Sequence, residues 1–228
     1  MFTSVERVRA FEGIVDQIRT AILRGDFAPG DRLPAQRELA VQLGVSRQTL
    51  REGLRTLESE GLIEIRLGHT GGIFVAIPDG ELIGAALGAM MHLRNASRWE
   101  IQEYRLEFES QNAAMAARRA TEEDLARLED LVAALVRAVE EGATESVLLG
   151  LESDVHKALA ATTHNGVRAS IMIALLQSTR RAAEELAGTF DRNALRLACD
   201  AFHALIHAIR EGDADAAAEI MRQHLVWI

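Results

Sequence analysis

The sequence is poor in cysteine and proline and has no long apolar run. A single cysteine, Cys199, excludes an internal disulfide framework and is typical of a reducing compartment. Three prolines occur in 228 residues, and their scarcity, together with abundant alanine, favours helix. No apolar run reaches the roughly 18 residues of a membrane span, and the first residues lack the uninterrupted apolar segment of a signal peptide. We therefore expect a soluble, cytoplasmic, mainly helical protein.

The chain also lacks an excess of basic residues, since its formal net charge is −9. Residues 1–78 hold ten arginines and ten acidic residues, which leaves 15 of the 25 basic and 24 of the 34 acidic residues for the rest of the chain. The acidic excess thus lies wholly after residue 78, and such asymmetry indicates two domains with separate tasks. Pro78-Asp79-Gly80 is the expected boundary because all three residues favour turns.

What the sequence does contain is helical periodicity. Before residue 78 it predicts helices at 5–24, 35–44 and 47–60, then strands at 62–67 and 73–76 joined by a glycine-rich turn. After residue 80 it predicts helices at 81–93, 97–119, 121–140, 144–163, 166–187, 191–211 and 213–226. The expected fold is mainly α: an N-terminal winged helix-turn-helix of three helices and a two-stranded wing, then a C-terminal all-helical antiparallel bundle.

The third predicted helix starts in VSRQTLREGL, residues 45–54, which crowds polar side chains into one helical end. In a helix-turn-helix this end enters the major groove. Its free N–H groups attract phosphate, and arginine and glutamine can hold the edges of guanine and adenine. Taken alone, the pattern also fits the solvated face of an ordinary amphipathic helix. The candidate DNA contacts are Ser46, Arg47, Gln48, Thr49 and Arg51.

The surroundings of this helix favour DNA binding. Residues 31–75, DRLPAQRELAVQLGVSRQTLREGLRTLESEGLIEIRLGHTGGIFV, closely resemble the GntR family of bacterial transcription regulators. The resemblance implies a homodimer on a palindromic, double-stranded operator, because two heads in successive major grooves need two-fold related half-sites. The DNA contacts that it implies are Arg37 on the first helix of the motif, Arg47, Gln48, Thr49 and Arg51 on the second, and Gly68 and His69 at the wing tip in the minor groove.

Residues 98–228 resemble the all-helical effector domain, called FCD, of the fatty-acid-degradation-regulator (FadR) subfamily. The matching segments are EYRLEFESQNAAMAARRATEEDL, HKALAATTHN and HAIREGDADAAAEIMRQHL. Family members bind a small organic acid, often with a divalent metal held by one Asp and three His, and binding shifts the DNA-reading heads of a homodimer. The implied organisation is a DNA-binding domain at 1–78, a linker and connecting helix at 79–97, and an effector-binding and dimerisation domain at 98–228.

The family's metal ligands can be followed residue by residue. Glu152 and His156 lie four apart on one helical face, with Glu where the family has Asp, and His224 stands at the last family histidine. The remaining histidine position falls on Phe202; His203 comes one residue later, about 100° around the helix. The implied ligands are Glu152, His156, His224 and, as a fourth candidate, His203, for Zn, Ni or Mn. Alternatively, the site is metal-free and its histidines are hydrogen-bonded core residues.

Three further residues are candidate effector contacts. Arg105 and Glu109 stand at the family's Arg-x-x-x-Glu, and an arginine facing a bundle pocket would hold an effector carboxylate bidentately. The alternative for this couple is an intrahelical surface pair. Asn165 is the third candidate, or else it caps a helix.

The sequence as a whole predicts a transcription regulator, of the repressor type and not an enzyme, whose operator binding responds to a small carboxylate. Two other classes remain as alternatives. A metal-dependent hydrolase would use Glu152, His156 and His224, although the sequence has neither HExxH-type spacing nor a nucleophile motif. A helical adaptor would use the N-terminal domain for protein contacts and would not need Arg47 and Arg51.

Overall fold

The computed structural model describes residues 6–68, 70–77, 80–185 and 192–226. It divides the chain into two compact units, Met1–Leu82 and Ile83–Ile228. The described residues form ten helices and one two-stranded sheet, which confirms the predicted mainly α class. Among these helices, none combines the length and the apolar character that crossing a membrane requires.

The first unit is a winged helix-turn-helix. Its two strands pair antiparallel, with Ile63 opposite Val75 and Arg66 opposite Gly72. Each element agrees with the sequence prediction in type and lies within two residues of it at both ends. The elements are α1 (Glu6–Leu23), α2 (Gln36–Gln42), α3 (Arg47–Ser59), β1 (Ile63–Arg66) and β2 (Gly72–Val75).

Helix α3 packs its apolar face into the core of this unit. Leu50, Leu54 and Leu57, four and three residues apart, are at most 1% exposed, so they form one buried stripe. Gly53 lies where α3 meets α1, and a Cβ at this position would come within 2.9 Å of Ile14 Cγ2. The glycine thus permits a close approach of α1 and α3. The face of α3 that carries Gly53 is therefore turned toward α1, and the opposite face is turned outward.

The second unit is a helical bundle in which α5 packs against α7, α9 and α10, α6 packs against α7 and α9, and α8 packs against α7. Two of its helices begin with polar caps: Ser97 Oγ accepts from Glu100 N, and Thr121 Oγ1 accepts from Asp124 N. The core combines leucine, valine and alanine with Phe202. The helices are α4 (Gly80–Leu93), α5 (Arg98–Arg119), α6 (Glu122–Glu140), α7 (Glu145–Thr162), α8 (Gly166–Glu185), α9 (Arg192–Arg210) and α10 (Ala214–Val226).

Candidate functional site

The outward face of α3 carries the predicted DNA contacts. Arg47, Gln48 and Arg51 are exposed and lie in the first two turns of the helix, opposite its leucine stripe. Arg55, one turn beyond Arg51, is also exposed and extends the same face. The sequence prediction missed Arg55, although its i+4 spacing from Arg51 was a usable signal.

The start of α3 is held by a cap. Ser46 Oγ accepts a hydrogen bond from Thr49 N at 3.1 Å, and the two hydroxyls lie 2.8 Å apart. Thr49 is 7% exposed, so its side chain faces the cap and the core. The prediction that Thr49 contacts bases is therefore corrected: its hydroxyl bonds within the helix start.

The other predicted DNA contacts lie on α2 and in the wing. Arg37 is exposed on α2. Gly68 is exposed in the turn between β1 and β2, with φ of +102°, a value that favours glycine. His69 lies outside the described residues.

Five charged or titratable side chains meet inside the bundle, on α5, α7 and α10. Their side chains are 13% exposed for Arg105 and at most 9% exposed for the others. Groups of this kind are rarely buried unless they are paired, and here each has a partner. We call these residues the buried cluster: Arg105, Glu109, Glu152, His156 and His224.

The buried cluster is a continuous chain of contacts. Arg105 Nε donates to Glu109 Oε1 at 2.7 Å, and the second Glu109 oxygen contacts His156 Nδ1. His156 Nε2 lies 2.8 Å from Glu152 Oε1 and 3.2 Å from His224 Nε2. Both oxygens of Glu109 therefore face protein groups. The Arg105–Glu109 pair is therefore buried instead of lying on the surface, and Glu109 positions both Arg105 and His156; its contact with the effector stays a prediction.

The carboxylates set the charge of the histidines. Burial favours a lower pKa for His156, but the carboxylates of Glu109 and Glu152 outweigh it and raise the pKa to about 10. Burial favours a higher pKa for Glu109, but His156 and then Arg105 lower it to about 2. Burial lowers the pKa of His224. At neutral pH His156 is thus protonated between charged carboxylates, while His224 is neutral.

Three members of the buried cluster fit a divalent cation. One ligand atom each from Glu152, His156 and His224 lies within 4.8 Å of the others. Tetrahedral zinc, with bonds of about 2.1 Å, separates its ligand atoms by about 3.4 Å, and the separations of 2.8, 3.2 and 3.8 Å bracket that value. Glu109 at Nδ1 leaves Nε2 of His156 for a metal, an arrangement common at metal sites. Loading would displace the proton of His156.

An aromatic ring covers one side of this group. The Phe202 ring is 1% exposed, and its centroid lies 4.5 Å from that of His224 and 5.4 Å from that of His156. His203 is exposed on α9. The prediction of His203 as a ligand is therefore corrected, because one residue along a helix turns the side chain about 100° away.

Asn165 caps α8. Its Oδ1 accepts hydrogen bonds from the backbone N–H groups of Val167 at 3.1 Å and Arg168 at 3.2 Å, which is the helix cap that the sequence offered as the alternative to an effector contact. The first turn of α8 carries a residue that the sequence prediction missed: Arg168 Nε donates to Asn112 Oδ1 on α5 at 2.6 Å. These two residues are 56 positions apart in the sequence, so no local sequence pattern predicts that they pair.

Comparisons with known proteins agree with both units. Residues 11–75 match the family model "Bacterial regulatory proteins, gntR family", and residues 100–226 match that of the FCD domain. A solved structure, Streptococcus agalactiae GntR, superposes with a TM-score of 0.71 at 27% identity, covering 95% of this chain and 97% of that chain.

Three curated relatives are similar over nearly the whole chain. The repressor NanR of Edwardsiella tarda is 29% identical, over 96% of this chain and 84% of the relative. The putative L-lactate dehydrogenase operon regulatory protein of Escherichia coli K12 is 31% identical, over 96% and 85%. The Uxu operon transcriptional regulator of the same strain is 30% identical, over 99% and 87%. The chain is therefore a DNA-binding transcription regulator with a domain for a small-molecule effector, and it belongs to the GntR family, in the FadR-like subgroup that carries an FCD domain.

Proposed function

We propose that the protein is a repressor, that it binds a palindromic operator as a homodimer, and that a small carboxylate at the buried cluster alters this binding. The observation that carries the proposal is the outward face of α3, where Arg47, Gln48 and Arg51 are exposed at a capped helix start. Such a face suits base edges and phosphates together. A repressor works where the DNA is, so we expect the protein in the cytoplasm.

Each of three consecutive parts of the chain has its own proposed task. Residues 1–78 bind DNA, residues 79–97 connect, and residues 98–228 bind the effector and dimerise. Arg37 and Gly68 are proposed as additional backbone or groove contacts because both are exposed in the DNA-binding unit. The effector would act by preferring one arrangement of the two heads over another, which is the thermodynamic requirement for coupling.

A carboxylate effector suits the charges of the buried cluster. Arg105 can donate two parallel hydrogen bonds to a carboxylate. Its side chain is 13% exposed, which is more than that of any other member of the buried cluster. A divalent cation such as Zn, Ni or Mn, held by Glu152, His156 and His224, would add a positive charge that a carboxylate can ligate. Repression is supported by the similarity to NanR, a transcriptional repressor.

Arg47→Ala is expected to weaken binding to a selected operator duplex by about 1–3 kcal/mol, because a bidentate arginine contributes that much base discrimination. The measurement is fluorescence anisotropy with two duplexes, one enriched from a random library by the wild-type protein and one of scrambled sequence. The loss should be confined to the enriched duplex.

Arg24→Ala is the matched control, since Arg24 is an exposed arginine just after α1 and its removal changes the net charge equally. It should leave both duplexes nearly unaffected. Equal losses on the enriched and the scrambled duplex would show that Arg47 grips phosphate without reading bases. Unchanged binding in Arg47→Ala would contradict the proposed recognition face.

Native mass spectrometry with elemental analysis tests the other half of the proposal. We expect the purified protein to appear as a dimer, with up to one divalent cation per chain, and to lose that cation in His156→Ala. A monomer at micromolar concentration would contradict the homodimer. A cation that is retained in His156→Ala would place the metal outside the buried cluster.

A further inference from the structure

A second polar couple lies beside the buried cluster and has an unused donor. Asn112 of α5 is 1% exposed, and its Nδ2 has no hydrogen-bond partner among the described residues. Leaving a buried amide donor without a partner costs free energy, and such groups are rare in native proteins. A buried donor of this kind therefore calls for an acceptor that the chain itself does not provide.

The orientation of the amide is fixed by its neighbour. Arg168 Nε lies 2.6 Å from the oxygen of Asn112. A guanidinium can only donate, so the atom that faces it must be oxygen and the NH2 group must point elsewhere. Arg168 is itself held: Nη2 donates to Phe108 O at 3.3 Å, and the guanidinium carbon lies 4.9 Å from the centre of the Phe108 ring.

Other buried polar groups near this couple are satisfied. The hydroxyls of Thr162 and Thr163 donate to carbonyls one turn back, Ala158 O at 3.0 Å and Ala160 O at 2.6 Å. Within the buried cluster, Glu109 Oε2 and His156 Nδ1 contact each other. Once that contact is counted, Asn112 Nδ2 and Gln177 Oε1 on α8 are the buried side-chain atoms of the described residues that have no partner, and Asn112 is the one of the two that shares a helix with members of the buried cluster.

Asn112 lies on the same face of α5 as two members of the buried cluster. Arg105, Glu109 and Asn112 are spaced i, i+4 and i+7 on α5, which places them on one helical face. Glu109 and Asn112 are separated by about 4.5 Å along the helix axis, at 1.5 Å per residue. The guanidinium of Arg105 lies beside the Glu109 carboxylate, with Nε 2.7 Å from Oε1. We therefore expect an acid bound at that guanidinium to have the Asn112 donor within reach of a group two or three carbons further on.

We propose that Asn112, oriented by Arg168, is a second anchor for the effector, so that the effector is an acid with a second oxygen acceptor, above all a short dicarboxylate. This inference rests on the proposed carboxylate site. The carboxyl carbons of a four-carbon dicarboxylate lie about 4 Å apart when three C–C bonds of about 1.5 Å are extended. That span is close to the axial offset of about 4.5 Å between Glu109 and Asn112 on α5, and the positive charge of Arg168 favours an anionic second group.

The test compares two acids of equal length on the full chain as purified. Succinate has a second carboxylate where butyrate has a methyl group. By isothermal titration calorimetry we expect succinate to bind about tenfold or more tighter than butyrate, since a hydrogen bond to a charged group is worth at least that factor. Equal affinities would overturn the second anchor and leave the proposed carboxylate site standing. Binding of neither acid at millimolar concentration would overturn both.

Asn112→Asp isolates the donor. The variant keeps the oxygen that Arg168 uses and replaces only the NH2 group, so melting followed by circular dichroism should show an intact fold. We expect it to weaken succinate binding about tenfold or more and butyrate binding far less. The matched control is Asn95→Asp, which adds the same charge at an exposed residue and should change neither affinity. Equal weakening of both acids in Asn112→Asp would show a general charge effect and overturn the anchor, as would unchanged succinate binding.

Discussion

Replacing Glu109 by alanine is expected to lower the free energy of unfolding of the second unit by about 3–5 kcal/mol, the usual cost of breaking a buried ion pair from one side. Glu109 is 1% exposed and pairs with both Arg105 and His156. Its removal leaves the guanidinium without its partner and leaves His156 with Glu152 as its one remaining carboxylate. Urea unfolding followed by far-ultraviolet circular dichroism measures the effect.

Glu129→Ala is the matched control for this change. Glu129 pairs with Arg210 at 2.8 Å, but the two side chains are 47% and 44% exposed. An exposed pair contributes less than about 1 kcal/mol, so this variant should unfold almost like the wild type. Similar small losses in both variants would contradict the view that Glu109 holds two buried cations.

The contact between Glu109 and His156 predicts that the free energy of unfolding depends on pH when a chelator keeps the protein free of metal. Because the pKa of His156 is raised to about 10 from an ordinary 6.5, folding favours its protonated form. The resulting stability is fully present below pH 6.5 and declines as the pH rises toward 10. In Glu109→Gln the decline should be complete at a lower pH, because one of the two carboxylates that raise the pKa of His156 is gone. Identical pH profiles for the two proteins would argue against the pairing.

The parts of this molecule that follow a local pattern were predictable. The cap at Ser46, the leucine stripe of α3 and the i, i+4 pair Glu152–His156 each depend on residues within two turns of one helix, and each occurs in the structure. Thr49 shows the limit of such patterns. Its polarity suggested a base contact, but its hydroxyl lies against that of the cap residue Ser46. Residue spacing alone does not predict whether a hydroxyl at this position bonds to the cap or faces solvent.

Contacts between distant helices were not predictable from periodicity. The contact of Glu109 with His156 joins α5 to α7, and that of Asn112 with Arg168 joins α5 to α8. Each depends on how the helices rotate in the bundle, which many weak packing contacts decide together. The resemblance to a family supplied His224, but it could not tell whether Phe202 or His203 faces the group, because a local bulge of one residue would exchange them.

Phe202→His is expected to raise the affinity for Zn²⁺ by about a hundredfold. The aromatic ring of Phe202 already lies against both His156 and His224, so an imidazole at this position would bring a fourth donor to the side that is now apolar. Structural zinc sites with four ligands are worth about 10–16 kcal/mol, or about 3 kcal/mol per ligand, which corresponds to about a hundredfold in affinity. Competition with a chromophoric chelator measures the change.

His203→Ala serves as the control because His203 is exposed one position away; it should leave the Zn²⁺ affinity unchanged. Without metal, Phe202→His should be less stable than the wild type, since it places a polar ring where an apolar one is 1% exposed, and added Zn²⁺ should recover that loss by mass action. Unchanged Zn²⁺ affinity in Phe202→His, or a loss of affinity in His203→Ala, would mean that the metal is bound elsewhere and that the ring of Phe202 does not limit the site. A raised Zn²⁺ affinity in Phe202→His, together with an unchanged affinity in His203→Ala, would show that the aromatic side chain of Phe202 on α9 holds the metal affinity below that of a four-ligand site.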